Sequence, residues 1–67
     1  MKTKLLAEVL IAKFSSWYCD GSKELLSDGG TVIDHLVDEG LDRRYLKSIP
    51  ESTWDDAWDI FNRKMNS

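Results

Sequence analysis

The chain has 67 residues, 42% of them hydrophobic and 31% charged, and its net charge of −3 comes from nine Lys and Arg against twelve Asp and Glu. This length indicates one small domain over residues 1–67, which has too few apolar side chains to build both a core and a deep catalytic cleft. A single cysteine, Cys19, excludes an internal disulfide, so the cytoplasm is the expected compartment.

An apolar helix is predicted over residues 4–18. Its apolar residues recur at helical spacing and are Leu5, Leu6, Val9, Leu10, Ile11, Phe14, Trp17 and Tyr18. Such a helix is typically central in a bundle, and Gly21 is expected to end it. Its apolar run contains Glu8 and is too short to span a bilayer, so no membrane association is expected. Trp17 and Tyr18 are adjacent and point in different directions, so one of them is a candidate interface anchor, and whether either is exposed is left open.

A short helical turn and a break in the chain are predicted next. Ser22 is a suitable N-cap for a turn that includes Leu25 and Leu26, because a serine hydroxyl accepts hydrogen bonds from the first N–H groups of a helix. Gly29 and Gly30 are expected to interrupt the chain after this turn, since glycine weakens a helix.

Two further short helices are predicted before residue 49. Thr31, with Asp34 three residues later, has the form of a capping-box variant and predicts a helix that Gly40 ends. Asp42 is a good N-cap for a second helix over residues 43–48.

The last helix has the clearest signal. Ser48 and Glu51 have the Ser-x-x-Glu spacing of a capping box, and Pro50 is tolerated in a first turn. The apolar residues that follow are expected to pack into the core and are Trp54, Ala57, Trp58, Phe61 and Met65. No segment alternates as a strand does, so the predicted fold is all-α, a compact orthogonal bundle of four to five short helices.

The sequence does not predict a catalytic or metal site. Cys19 and His35 are the only thiol and imidazole, and no third residue at a recognisable spacing would orient them. Cys19 is expected to be a buried, inert thiol, which leaves a thiol enzyme as a third hypothesis only. Zinc needs three or four ligands, and the early carboxylates lack the spacing of a calcium loop. We therefore expect no enzyme activity, no metal and no cofactor.

One basic cluster is present, and it supports an alternative function. Arg43, Arg44 and Lys47 lie on the short third helix, as in the recognition helix of a helix-turn-helix regulator. Acidic residues surround the cluster and would repel phosphates, so DNA binding is not expected. DNA-binding transcriptional regulation is kept as the alternative.

The leading hypothesis uses the acidic residues. If the apolar side of the last helix faces inward, its acidic side chains point to solvent. The candidate partner-binding residues are Asp34, Asp38, Asp55, Asp56 and Asp59. They predict a small regulatory or inhibitory protein, of bacterial or phage type, that binds a basic surface on a nucleic-acid-handling protein. A solubilising face without a partner is the competing explanation, and a homodimer is left open.

Asp34-His35 is followed by an Ile-Pro-x-Ser-x-Trp element over residues 49–54. With this pair and this element at the same separation, residues 34–54 resemble the Hha/YmoA family of small four-helix bacterial proteins, which modulate the nucleoid-associated protein H-NS. The resemblance implies that Asp34 contacts the protein partner and that residues 50–54 begin the last helix. The chain departs from the family pattern at Leu36, at the two glycines of residues 29–30 and in its longer last helix.

Overall fold

A computed structural model describes residues 1–21 and 23–67. It contains four α-helices and a 3-10 helix: α1 at Thr3–Cys19, the 3-10 helix at Lys23–Ser27, α2 at Gly29–Asp38, α3 at Arg43–Ser48 and α4 at Glu51–Met65. No strand is present in the described residues. The radius of gyration is 11.1 Å, close to the roughly 11 Å of a compact chain of this length. The prediction of a small all-α bundle is confirmed.

Helix α1 provides the largest share of the core. Its inward side chains are fully buried and are Leu6, Ala7, Leu10 and Phe14. Helix α4 packs along α1, with the ring of Phe14 6.2 Å from Trp58 and the ring of Tyr18 6.0 Å from Phe61. These two contacts advance together along both helices, so α1 and α4 run in the same direction where they meet. Helices α2 and α3 add Val32, Leu36 and Leu46 to the same core.

The start of α2 differs from the prediction. Asp28 is the N-cap, and its carboxylate accepts hydrogen bonds from the Gly30 backbone N–H at 3.1 Å and from Thr31 Oγ1 at 2.9 Å. Gly29 and Gly30 therefore form the first turn of α2, and the predicted break and Thr31 capping box are wrong. An aspartate provides two acceptor oxygens one turn earlier, and the Thr31 hydroxyl is bound to one of them. The predicted cap at Ser22 lies outside the described residues.

The end of α2 and the start of α3 follow the prediction. Gly40 has φ of 105°, and its N–H donates to the Val37 carbonyl while the Leu41 N–H donates to the Leu36 carbonyl. This is a Schellman motif, which requires the left-handed conformation that glycine adopts most easily. Asp42 then accepts a hydrogen bond from the Arg44 backbone N–H at 3.3 Å and caps α3.

The start of α4 differs in one respect. Pro50 is the N-cap and has no side chain that could accept a hydrogen bond, while Glu51 is the first residue of the helix. The predicted capping box between Ser48 and Glu51 is wrong, because Ser48 is the last residue of α3 and its hydroxyl donates to the Tyr45 carbonyl at 2.6 Å. The boundary between α3 and α4 is thus two residues long.

Candidate functional site

An open groove of about 830 Å³ lies between the 3-10 helix, the start of α2 and the first three turns of α4. Its floor is mainly apolar and includes Val32, Ile33, Ile49, Trp54, Trp58 and Phe61. Leu26 of the 3-10 helix forms part of the opposite wall. The groove therefore combines side chains of the 3-10 helix and α2, which are adjacent in the sequence, with side chains of α4, which comes much later.

Two tryptophans of α4 form part of the groove floor. Trp54 and Trp58 are one helical turn apart and only half-buried, so they do not enter the core as fully as their spacing predicted. Trp58 is held edge-on against Phe61, with ring centroids 5.1 Å apart, and Phe61 is fully buried. The indole of Trp58 thus has a fixed inner contact and an outer surface that faces the groove.

Three carboxylates line the groove. Glu24 comes from the 3-10 helix, whereas Glu51 and Asp55 come from successive turns of α4, and all three are exposed. None forms an ion pair with a side chain that the structure describes. Among the described lining residues there is no Lys, Arg or His. These three carboxylates, above a low-dielectric apolar floor, contribute a negative potential to the groove.

The acidic residues of α4 are all exposed, in agreement with their predicted outward positions. Asp55 lines the groove, and Asp56 is exposed beside it without an ion pair to a described side chain. Asp59 is bound to Arg63 one turn later, with Oδ2 2.8 Å from the guanidinium. The three positions are therefore not equivalent, because only two of them carry an uncompensated charge.

The acidic residues of α2 lie elsewhere. Asp34 is bound to Arg43 of α3, with Oδ1 2.6 Å from the guanidinium. Asp38 is exposed, and neither residue lines the groove. The structure therefore does not gather the five predicted acids around this groove, and only Asp55 is part of it.

Glu24 and Glu51 are the groove residues that the sequence pattern missed. The sequence pattern assigns Glu51 to a capping box, although Asp55 at i+4 indicates that both carboxylates lie on one side of α4. Glu24 lies on a 3-10 helix, and its position opposite α4 depends on how the chain folds back after α1. No local pattern around Glu24 predicts that position.

The basic cluster is exposed on α3. Arg43, Arg44 and Lys47 all face solvent, but the six residues of α3 span only about 9 Å. Because Arg43 is bound to Asp34, one residue proposed for nucleic-acid binding and one proposed for protein binding are bound to each other. This ion pair reduces the charge that the cluster could offer to phosphates.

Trp17 and Tyr18 are both half-buried, so neither is a fully exposed anchor, and Tyr18 lines the groove. Trp17 packs against Phe14 and against the His35 ring, with centroid distances of 4.9 Å to each. The Tyr18 hydroxyl donates to Asn66 Oδ1 at 2.8 Å. Helix α2 and the end of α4 thus cover these two rings from different sides.

Cys19 is exposed, which corrects the expectation of a buried thiol. It lies about 140° around α1 from the buried Phe14, so it faces away from the core. His35 packs against Phe14 at 5.2 Å, and its Nε2 is 3.5 Å from a Glu39 carboxylate oxygen. No group of three or more His, Cys, Asp or Glu among the described residues could hold a metal ion.

In the part of the chain that the structure describes, no helix has both the length and the apolar character needed to cross a bilayer. Comparisons with known proteins give no match to a family model, to a curated protein or to a solved structure. The resemblance to the Hha/YmoA family stays a prediction. Any proposal about function therefore rests on the groove and its charges.

Proposed function

We propose that this chain is a small, non-enzymatic regulatory or inhibitory protein of bacterial or phage type that acts in the cytoplasm. It binds another protein that has a basic surface. The observation that carries the proposal is the groove, which has an apolar floor and three carboxylates without a described cation beside them. Apolar area and uncompensated charge together are typical of an interface that a charged partner completes.

The acidic surface extends from the groove onto the outer side of α4. Asp56 adds a fourth carboxylate without a described ion pair beside Asp55. Asp59 contributes less negative potential, because its charge is paired with that of Arg63. Like charges on one helix repel one another slightly, and a cationic partner would offset that cost. Relief of this repulsion gives the α4 acids a role in partner binding. Solubility alone does not require the acids to lie so close together.

A nucleic-acid-handling protein is the proposed partner class. Such proteins carry surfaces rich in Lys and Arg that neutralise phosphates, and an acidic protein can cover those surfaces. The Hha/YmoA resemblance favours the same class, since that family modulates a nucleoid-associated protein. It assigns the contact to Asp34, whereas we place the main contact at the groove, because Asp34 is already bound to Arg43.

The test begins with affinity capture from the host lysate, followed by purification of the captured protein. Its affinity is then measured against the wild type and against Asp55→Lys, Asp56→Lys and Asp59→Lys, singly and together. We expect the triple reversal to weaken binding by about tenfold or more and to remove most of its salt dependence. Glu8→Lys, an exposed charge reversal on α1 outside the groove, should change affinity by less than about twofold.

Each variant must first show an unchanged helical circular dichroism spectrum. Binding that survives the triple reversal with unchanged affinity and salt dependence would show that the acidic surface is not the interface. The single variants rank the positions, and we expect Asp55→Lys to have the largest effect because Asp55 lines the groove.

DNA binding through α3 is the second candidate, because Arg44 and Lys47 are exposed and unpaired among the described side chains. It predicts micromolar or tighter binding to duplex DNA at about physiological salt, lost when Arg43 and Arg44 are both changed to Ala. We expect no such binding, because Asp34 compensates Arg43 and the α3 cap Asp42 adds another negative charge. Fluorescence anisotropy of a labelled duplex distinguishes DNA binding through α3 from the absence of DNA binding.

A further inference from the structure

The shape and charge of the groove specify which kind of partner segment it can hold. We infer that it binds an amphipathic α-helix of the partner, with apolar side chains against the groove floor and Lys or Arg side chains against its carboxylates. The inference rests on the proposed function and adds the chemistry of the partner segment to it.

The apolar floor of the groove determines one property of the occupant. Trp54 and Trp58 are half-buried, so part of each indole is in contact with water in the free protein. Covering exposed aromatic surface favours association, and tryptophans are frequent energetic centres of interfaces. An occupant must therefore bring apolar side chains and not only charge.

The carboxylates of the groove determine the charge of the occupant. Glu24, Glu51 and Asp55 lie among the lining residues, and none is compensated by a described side chain. They disfavour an acidic peptide or a nucleic acid and favour an occupant with Lys or Arg at the edges of its apolar side. Charge complementarity therefore selects a cationic amphipathic segment.

The spacing along α4 indicates that this segment is helical. Glu51 and Asp55 are four residues apart, and so are Trp54 and Trp58, so an acidic row and an apolar row run side by side along α4. Their repeat is about 6 Å, which matches the spacing of side chains at i and i+4 on a second helix. The described residues contain no strand, so they offer no sheet edge on which an extended peptide could pair its backbone.

Gly29 offers a way to close the groove without breaking the fold. It lines the groove in the first turn of α2, and a Cβ added there would meet no atom within 4 Å. A leucine at this position would extend from a helical backbone into open space. Gly29→Leu should therefore fill part of the groove while leaving every carboxylate in place.

The probe is a synthetic amidated peptide of about 18 residues, with Leu at i, i+3, i+4 and i+7 and Lys at the remaining positions. A scrambled peptide of the same composition is the peptide control. Affinity is measured by isothermal titration calorimetry against the wild type, Gly29→Leu and Asp55→Lys. Glu8→Leu and Glu8→Lys are the protein controls, because they add an apolar or a basic side chain outside the groove.

We expect the amphipathic peptide to bind the wild type at least about tenfold more tightly than the scrambled peptide does. Gly29→Leu and Asp55→Lys should each weaken binding by about tenfold, while both Glu8 variants stay within about twofold of wild type. Equal binding of the two peptides, or unchanged affinity of a folded Gly29→Leu variant, would overturn the inference.

The same variants applied to the captured partner separate the two proposals. The triple α4 reversal could lose partner binding while Gly29→Leu binds the partner fully. That result would support the proposed function and would show that the groove is not the binding site. Unchanged partner binding in both would reject the proposed function itself. Loss in both is the result that we expect.

Discussion

Among single residues, Gly40 and Gly29 are expected to respond in opposite ways to an added methyl group. Gly40 has φ of 105°, a conformation that side chains with a Cβ rarely adopt, whereas Gly29 is helical with open space around it. We expect Gly40→Ala to lower the free energy of unfolding by about 1 kcal/mol or more and Gly29→Ala to raise it by about 0.5–1 kcal/mol. Urea denaturation of the two variants measures both changes.

The paired design makes this prediction specific. Both substitutions add the same methyl group, so a difference in sign can come only from the local backbone. Equal stability of Gly29→Ala and Gly40→Ala would contradict the assigned conformations of the α2 start and the α2 end.

Asp28 predicts a defined dependence of stability on pH. Hydrogen bonds from the Thr31 side chain, and then from the backbone N–H groups of Thr31 and Gly30, lower the pKa of the Asp28 carboxyl below its ordinary value. A carboxyl whose pKa is lower in the folded state stabilises the fold above its unfolded pKa, near 4, and loses that contribution as the pH falls.

The corresponding variant is Asp28→Asn, which keeps an acceptor oxygen but removes the charge. Its melting temperature should be below that of the wild type at pH 7, and the difference should shrink as both are acidified below about pH 4. The other carboxyls are present in both proteins, so the difference reports Asp28. A difference that stays constant with pH would contradict the capping role of the ionised carboxylate.

Individual side chains were the hardest features to predict from the sequence. Thr31 and Ser48 have the spacing of helix caps, yet Asp28 provides a stronger acceptor in one case and the Tyr45 carbonyl binds the hydroxyl in the other. Cys19 follows an apolar run but lies on the outer side of α1. Local pattern identifies possible hydrogen-bond partners, whereas the competition among them is decided by the folded chain.

At the scale of elements, helix α4 carries both the core and the groove wall. Phe61 is fully buried, while Trp58 is half-buried against it. We expect Phe61→Ala to lower the free energy of unfolding by ~3–5 kcal/mol through cavity formation, and Trp58→Ala to lower it by less. A fold of this size is stable by roughly 3–10 kcal/mol, so Phe61→Ala should be largely unfolded when warmed.

Thermal unfolding, followed by the helix signal in circular dichroism at 222 nm, shows which of the two variants is less stable. If Trp58→Ala were the more destabilised, Trp58 would belong to the core and would offer little surface to a partner. That outcome would remove the apolar half of the proposed interface.

The helices themselves follow from periodicity. The apolar spacing over residues 4–18 and the Asp42 cap each predict an element that the structure contains. These features succeed because they depend on neighbours within one or two turns. The predicted boundary at residues 48–51 fails because α3 continues through Ser48, so Pro50 and not Ser48 is the N-cap of α4.

At the scale of the whole molecule, the groove could not be predicted from the sequence. Glu24 and Asp55 are 31 positions apart in the sequence, and only the packing of α1 against α4 and the 3-10 helix brings their elements to the same groove. The sequence does predict that the α4 acids are exposed. It does not predict the ion pair between Asp34 and Arg43, nor that Glu24 and Glu51 line the groove together with Asp55.

Chemical-shift mapping shows whether a basic partner binds in this groove. The purified captured protein is titrated into isotopically labelled chain, and backbone and indole N–H resonances are followed. We expect the largest changes at the Trp54 and Trp58 indoles and at the Gly29 and Asp55 amides, all of which line the groove. Changes confined to residues 43–48 of α3, with the groove resonances unmoved, would show that the partner binds α3 and not the groove.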